Sequence, residues 1–314
     1  MKKISITSPT YNEEDNVVEL YDRIIKQAEL WPNYDFEFVF IDNASTDKTR
    51  ILLRGLAADD NRVKLIFNTR NFGHIRSPYW GILQTAGDAT IYLASDLQDP
   101  PEMISEFIAE WERGYPVVLA VKPNSAGSPL MHYLRKKYYR ILDSISDVKI
   151  IKDSTGFGLY DKKVVDQLIA IDDPCPFLRG LIAELGYKTK TIPFNQPRRL
   201  RGISKNNFFT LYDIGMLGVV SHSVVPIRLM GILGAITSLI CFILAAVFLV
   251  MKLIWWNAFP MGYAPIFILA SLMFGIVLLS ISILGEYIAA ILSYVKKRPI
   301  VVEDERINFV DAKK

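Results

Sequence analysis

Apolar residues recur at helical spacing between Glu14 and Leu30, where Val17, Leu20, Ile24 and Ala28 form one stripe. Short apolar runs at Ile4–Ser8, Phe36–Ile41, Val63–Phe67, Ala89–Ala94 and Val117–Val121 read as strands. Between them, Thr46–Ala58 and Ser77–Ala86 read as helices, and Pro101 opens another, a favoured place for proline. Strands alternating with helices predict an α/β fold with a doubly wound, mostly parallel sheet. Ligands of such sheets bind beyond the carboxyl ends of the strands. The segments there are Pro9-Thr10-Tyr11-Asn12-Glu13, Asp42-Asn43-Ala44-Ser45 and Ser95-Asp96-Leu97-Gln98-Asp99, all polar and acidic.

Beyond residue 200 the pattern changes. Leu229 to Met251 carries no charge over 23 residues, and Leu253 to Gly285 none over 33. A membrane-spanning helix needs about 20. The second run contains its own break, Trp255 to Tyr263, with Asn257, Pro260 and Gly262 among aromatic residues. These features predict a two-helix transmembrane hairpin. The competing picture, two buried core helices, lacks a partner large enough to cover them. Arg198, Arg199, Arg201, Lys205 and Arg228 precede the hairpin, Lys296-Lys297-Arg298 follow it, and the loop has only Lys252 at its edge. Positive residues mark the cytoplasmic side, so both termini are expected there. Glu286 reads as the cytoplasmic end of its helix. Met131–Ile145 and Phe208–Val220 read as amphipathic helices lying on the bilayer. The expected organisation is therefore a cytoplasmic catalytic domain over 1–200, a juxtamembrane segment over 201–226, the hairpin over 227–294, and a cytoplasmic tail over 295–314.

Composition narrows the function classes. Hydrophobic residues make up 51% and the formal charge is +3, which is no nucleic-acid footprint. Cys175 and Cys241 lie far apart, so a disulfide framework and a cysteine zinc site are excluded. The start of the chain is too short in apolar residues for a signal peptide. Neither GxGxxG nor GxxxxGK[ST] occurs, which leaves dinucleotide and P-loop chemistry unsupported. Acids at strand ends without a phosphate-binding glycine loop suggest a nucleotide held by base, ribose and a metal-bound diphosphate.

The ordered set of motifs is more specific than any member. Ser8-Pro9-Thr10-Tyr11-Asn12-Glu13-Glu14, Asp42-Asn43-Ala44-Ser45, Asn71-Phe72-Gly73-His74 and Asp96-Leu97-Gln98-Asp99-Pro100-Pro101-Glu102 follow one another. Further on come Phe177-Leu178-Arg179-Gly180-Leu181 and Arg199-Leu200-Arg201-Gly202-Ile203-Ser204-Lys205. The chain resembles the polyisoprenyl-phosphate glycosyltransferases of glycosyltransferase family 2, the branch with bactoprenol glucosyltransferases and dolichol-phosphate mannose synthase. That resemblance implies a GT-A catalytic domain. It implies nucleotide contacts from Pro9, Tyr11, Glu13 and Asp42, with Asp96 also at the donor. Asp96 and Gln98 match the metal ligands, Arg199 and Lys205 the phosphate-contacting cations. Three positions depart from the family pattern. Asn43 stands for the second acid of Asp-Asp-Gly-Ser, Ala94 for the first acid of the metal motif, and the usual base has no counterpart nearer than Asp153.

The implied activity is inverting transfer of a sugar, from a UDP-sugar by this resemblance, to polyprenyl (undecaprenyl) phosphate at the cytoplasmic face of a bacterial inner membrane. Mg²⁺ or Mn²⁺ would neutralise the departing diphosphate. A base is dispensable, because a phosphate monoester with a second pKa near ~6 is already ionised at neutral pH. Membrane lipid and a second copy of the chain are the further partners expected. The rival class is a non-catalytic nucleotide-sugar-binding membrane scaffold, motivated by Ala94 and the absent base. His74 is placed at the donor cleft by its neighbour Gly73.

Overall fold

The computed structural model describes residues 1–122, 151, 154–174, 176–197, separate positions between 227 and 254, 263–296 and 298–309. The elements run β1 (Lys2–Thr10), α1 (Val17–Glu29), β2 (Tyr34–Asp42), α2 (Thr49–Asp59), β3 (Val63–Asn68), α3 (Gly73–Leu83) and β4 (Ala89–Tyr92). A 3-10 turn, Pro101–Met103, then leads into α4 (Ile104–Glu112) and β5 (Val117–Val121). After these come β6 (Ser154–Asp161), α5 (Lys162–Ile171), α6 (Leu178–Leu185), β7 (Thr189–Pro193), α7 (Tyr263–Val295) and β8 (Glu303–Ile307).

One eight-stranded sheet has the order β7-β5-β6-β4-β1-β2-β3-β8. Its centre is the parallel set β4, β1, β2 and β3, with Ile6 paired to Phe38 on one side and Ile91 on the other. These strands are buried on both faces, as in a sheet covered by helices on both sides, although Ser5, Thr7, Glu37 and Thr90 are polar residues buried among them. The stripe Val17, Leu20, Ile24 and Ala28 of α1 is buried, as its spacing predicts. This is the mostly parallel, GT-A-like α/β architecture expected.

Two features depart from simple alternation. Strand β6 runs antiparallel between β4 and β5. Strand β8, from the expected tail, adds antiparallel to β3 at the sheet edge. Helix α3 also starts at Gly73, four residues before the sequence places it. Proline favours a first helical turn, which points to Ser77, but the structure carries Pro78 inside the helix.

The expected membrane hairpin is not established by the fold. The backbone of α7 is continuous over 33 residues, about 50 Å at 1.5 Å per residue, and Glu286 is its one charged residue. Counted over the described residues, however, no helix is long and apolar enough to cross a membrane. The first expected span is described only at separate positions, and 131–145 and 208–220 lie outside the described residues.

The core cluster that takes in the α1 stripe also holds Phe157 of β6, whose ring meets Phe107 and Phe194 edge-on at 5.0 and 5.7 Å. Its neighbour Gly158 sits where a Cβ would lie 2.1 Å from the Val118 carbonyl oxygen. Backbone cannot yield as a side chain does, so β5 and β6 pair only with glycine there. Gly158→Ala is expected to cost about 3 kcal/mol or more, lowering the thermal midpoint by roughly 6 °C or more. A scan showing an unchanged midpoint would refute this account of the pairing.

Candidate active site

A cavity of about 340 Å³ opens where β1, β2 and β4 end, within the size range of small-molecule sites. Pro9, Tyr11 and Glu13 enter it from the β1 loop, Asn43 from β2, and Asn71, Gly73 and His74 from the turn into α3. Tyr92, Ala94, Ser95 and Asp96 complete it from β4. Three of the surrounding loops each turn on a non-glycine residue with left-handed backbone: Asn12 (φ 55°), Ala44 (φ 61°) and Leu97 (φ 59°). Such conformations persist only where neighbours hold them. Here Asn12 N–H donates to Ser45 Oγ at 2.9 Å and Thr46 N–H to Asn12 Oδ1 at 2.8 Å, while Glu13 N–H reaches Thr49 Oγ1 at 2.9 Å. Ser95 Oγ donates to the Pro9 carbonyl at 2.7 Å, joining the β4 loop to the β1 loop.

Asn43 is the hub of the opposite wall. Its Nδ2 donates to Asn71 Oδ1 at 2.9 Å and to the Gly73 carbonyl at 3.2 Å. Its Oδ1 accepts from the Phe72 N–H at 2.8 Å and from Asn68 Nδ2 at 3.3 Å. An aspartate has no donor for the first pair. The exchange of acid for amide is therefore a means of holding the 68–73 turn. Gly73 itself, at φ 87°, would be strained by any side chain.

Asp42 is fully buried and does not line the cavity. Its Oδ2 accepts from Arg50 Nε at 2.8 Å and Ser45 N–H at 3.1 Å, while Oδ1 has no hydrogen-bond partner among the described residues. Arg50 Nη2 in turn donates to the Asn68 carbonyl at 2.9 Å.

Asp96 lies on the cavity wall and accepts from the Gln98 N–H at 3.1 Å. Gln98 does not line the cavity, and its Nε2 reaches the Pro197 carbonyl at 3.5 Å. Among the described residues no cluster of three or more His, Cys, Asp or Glu is placed to hold a metal. The donor set still fits a cation carried in with a substrate, since Mg²⁺ is commonly held by one or two carboxylates plus phosphate oxygens and water. At Ala94, where the family pattern has an acid, the backbone N–H donates to Asp99 Oδ2 at 3.0 Å. Burial, reinforced by the charge of Asp96, pushes the Asp99 carboxyl up to about 6, against the Ala94 bond and the charge of Lys122. Burial holds His74 below the usual histidine range, leaving a neutral imidazole facing the cavity.

The structure thus brings Pro9, Tyr11, Glu13 and Asp96 together, sets Asp42 behind that surface and turns Gln98 away. Asp153, Arg199 and Lys205 lie outside the described residues, as does Cys175. Asn71 and Tyr92 are cavity residues to which sequence reasoning gave no role. The nearest signal was their position just after or at the end of a strand.

The glycosyl transferase family 2 model matches residues 5–169, which contain this whole cavity. The chain belongs to glycosyltransferase family 2. A Shigella flexneri prophage-derived bactoprenol glucosyl transferase is 32% identical over 309 residues, covering 98% of this chain and 99% of that one. An uncharacterized glycosyltransferase of Synechocystis is 31% identical over 300 residues, 95% of this chain and 93% of the relative. A Pyrobaculum calidifontis mannosyltransferase, solved with GDP-mannose and Mn²⁺, shares 18% identity over 70% of this chain and 62% of its own, at a TM-score of 0.48. Within the family, the site departs at Asn43 and Ala94, and each departure has a local hydrogen-bonding consequence.

Asn43→Asp removes two donated bonds and sets a buried charge beside the Asn71 and Gly73 oxygens. It should loosen the 68–73 turn and weaken nucleotide binding at least several-fold in equilibrium titration. Unchanged affinity would show that the hub does not shape the cavity.

Asp99 supplies a pH test. Its carboxyl is protonated up to about pH 6 when folded, against 3.8 for an ordinary aspartate. The folded state therefore binds more protons in that window, and stability falls as pH rises through it. The full effect is about 2–3 kcal/mol. In chelator-containing buffer, the Asp99 contribution to the melting temperature should fall between pH 4 and 6. Asp99→Asn, which still accepts the Ala94 bond, should flatten that slope. Parallel curves for the two proteins would remove Asp99 as the cause.

Proposed function

We propose that the chain transfers a hexosyl group from a nucleotide-sugar, a UDP-sugar by its likeness to the bactoprenol enzymes, to a polyprenyl phosphate at a membrane surface. The observation that carries this reading is the single cavity wall joining the nucleotide-facing segments Pro9–Glu13 and Asn43 to Asp96. A Mg²⁺ or Mn²⁺ ion held at Asp96 would neutralise the departing diphosphate.

The chemistry is one displacement. A phosphate oxygen of the lipid attacks the anomeric carbon as its bond to the diphosphate oxygen breaks, and the electron pair leaves with the nucleoside diphosphate. The attacking oxygen is already ionised, so no base is assigned and Asp153 is not needed. Arg199 and Lys205 would hold the acceptor phosphate against the donor's charge.

Membrane attachment rests on exposed apolar side chains. Phe274 is 70% exposed, Leu278 62% and Leu239 62%, within a wider set between 232 and 295. Apolar exposure on that scale marks a membrane or protein contact. We assign it to a hairpin over 227–294, with both termini cytoplasmic.

The test is transfer of radiolabelled sugar into a lipid extract by the full chain in membranes. Asp96→Asn should reduce it about 100-fold or more, given the several kcal/mol of transition-state charge that a carboxylate-held cation stabilises. Arg199→Ala should raise the requirement for lipid phosphate, with Arg199→Lys recovering part because lysine lacks the planar fork. Parent-rate transfer by Asp96→Asn would overturn the assignment. Nucleotide binding without any lipid-linked product would favour a scaffold.

A further inference from the structure

A second cavity of about 140 Å³ adjoins the first, and His74, Pro78 and Tyr92 line both. Its far wall is Thr155 at the start of β6 with Phe177 and Arg179 at the start of α6. The Phe177–Leu181 string is part of the family resemblance, yet the mechanism above gives it no task. Arg179 is held in place. Its Nη1 donates to the Ser154 carbonyl at 3.2 Å, and its guanidinium lies 5.1 Å from the centre of the Phe177 ring.

The chamber mixes flat apolar surfaces with polar tips. Pro78, Phe177 and Leu178 form the former, and the Arg179 guanidinium, the Thr155 hydroxyl and the His74 imidazole the latter. A pyranose ring has the matching character, C–H faces with hydroxyls at its edge. The chamber branches from the main cavity at Tyr92, on the β4 strand that leads to Asp96. A sugar seated there keeps its anomeric carbon at the junction, next to a diphosphate at Asp96. A prenyl chain does not fit so small a space, and a nucleoside is better served by the larger cavity.

We propose that this chamber binds the donor's hexosyl group and that Arg179 is a sugar-binding, specificity-determining residue. The inference rests on the reading that the main cavity binds a nucleotide-sugar.

The experiment is equilibrium titration of the detergent-solubilised full chain with UDP- and GDP-sugars and the matching free diphosphates. For the wild type, one nucleotide-sugar should bind more tightly than its free diphosphate. In Arg179→Ala that advantage should disappear, a loss of about tenfold for one charged hydrogen bond, while affinity for the free diphosphate stays within about twofold. Arg179→Lys should recover part. Thr155→Val provides a second variant on the same wall should Arg179→Ala fail to fold, and it should weaken sugar discrimination alone. Parallel loss for sugar-nucleotide and free diphosphate would place Arg179 at the diphosphate and overturn the proposal. Undiminished discrimination in both variants would overturn it too. A wild type that binds no nucleotide-sugar refutes the underlying reading instead, which separates the two failures.

Discussion

Strands β4, β1 and β2 run parallel and end on one edge of the sheet, so the loops leaving them meet there without ladder partners for their backbone. Every feature of the site answers that constraint. Loop β1 takes its partners from loop β2 through Asn12, Ser45 and Thr49. The β4 loop is tied to Pro9 by Ser95, and Asn43 holds the turn before α3. Backbone polar groups must be paired somewhere, and short polar side chains do this where strands stop. The result is a cavity whose walls are fixed by hydrogen bonds made away from the ligand.

Electrostatics set a second demand. Asp96 and Asp99 stand close together beside a cavity read as the seat of a polyanion. Two unscreened carboxylates would repel each other and the diphosphate. The arrangement separates their roles. Asp99 is buried, accepts from the Ala94 N–H and has its carboxyl pushed up by that burial, while Asp96 faces the cavity. With Ala94 in this loop, Asp96 is the loop's carboxylate on the cavity wall, and the Ala94 backbone N–H is bonded to Asp99.

Much of the fold was legible because burial writes itself into spacing. The α1 stripe and the central strands are cases where one face or both are covered, and the hydrophobic pattern says which. Strand β6 was not legible, because alternation of elements carries no strand direction. Strand β8 was hidden by its composition: Glu303-Asp304-Glu305-Arg306-Ile307 reads as a charged tail. As an edge strand it instead pairs on one side and spends its charges on Arg50 and Arg54, with Glu303 also meeting Trp80. Edge strands are often charged for this reason. Of the site, the acids at strand ends were readable from type and place. The division of labour between Asp42 and Asn43 was not, because adjacent residues of a strand face opposite ways, and only the surroundings show which side holds the cavity.

The returning tail also constrains where the cavity can be. Helix α7 ends at Val295, and by Pro299 the backbone is already bonded to the body of the molecule, its carbonyl accepting from Arg76 Nη2 at 2.6 Å. Ile300 and Val301 are then buried beside Phe72 and Tyr79, and Val302 accepts from the Thr69 N–H at 3.0 Å. Four extended steps cover at most about 14 Å, so the end of α7 is tethered close to α3. Arg76 and the cavity residue His74 share that helix. Under the proposed reading, with α7 in a bilayer, the tail would hold the cavity within a short reach of the surface, because it bonds to α3 at Arg76, two residues from the cavity residue His74. A phosphate on a lipid cannot rise far without exposing its chain to water, and under the proposed function this tether would keep the site near it.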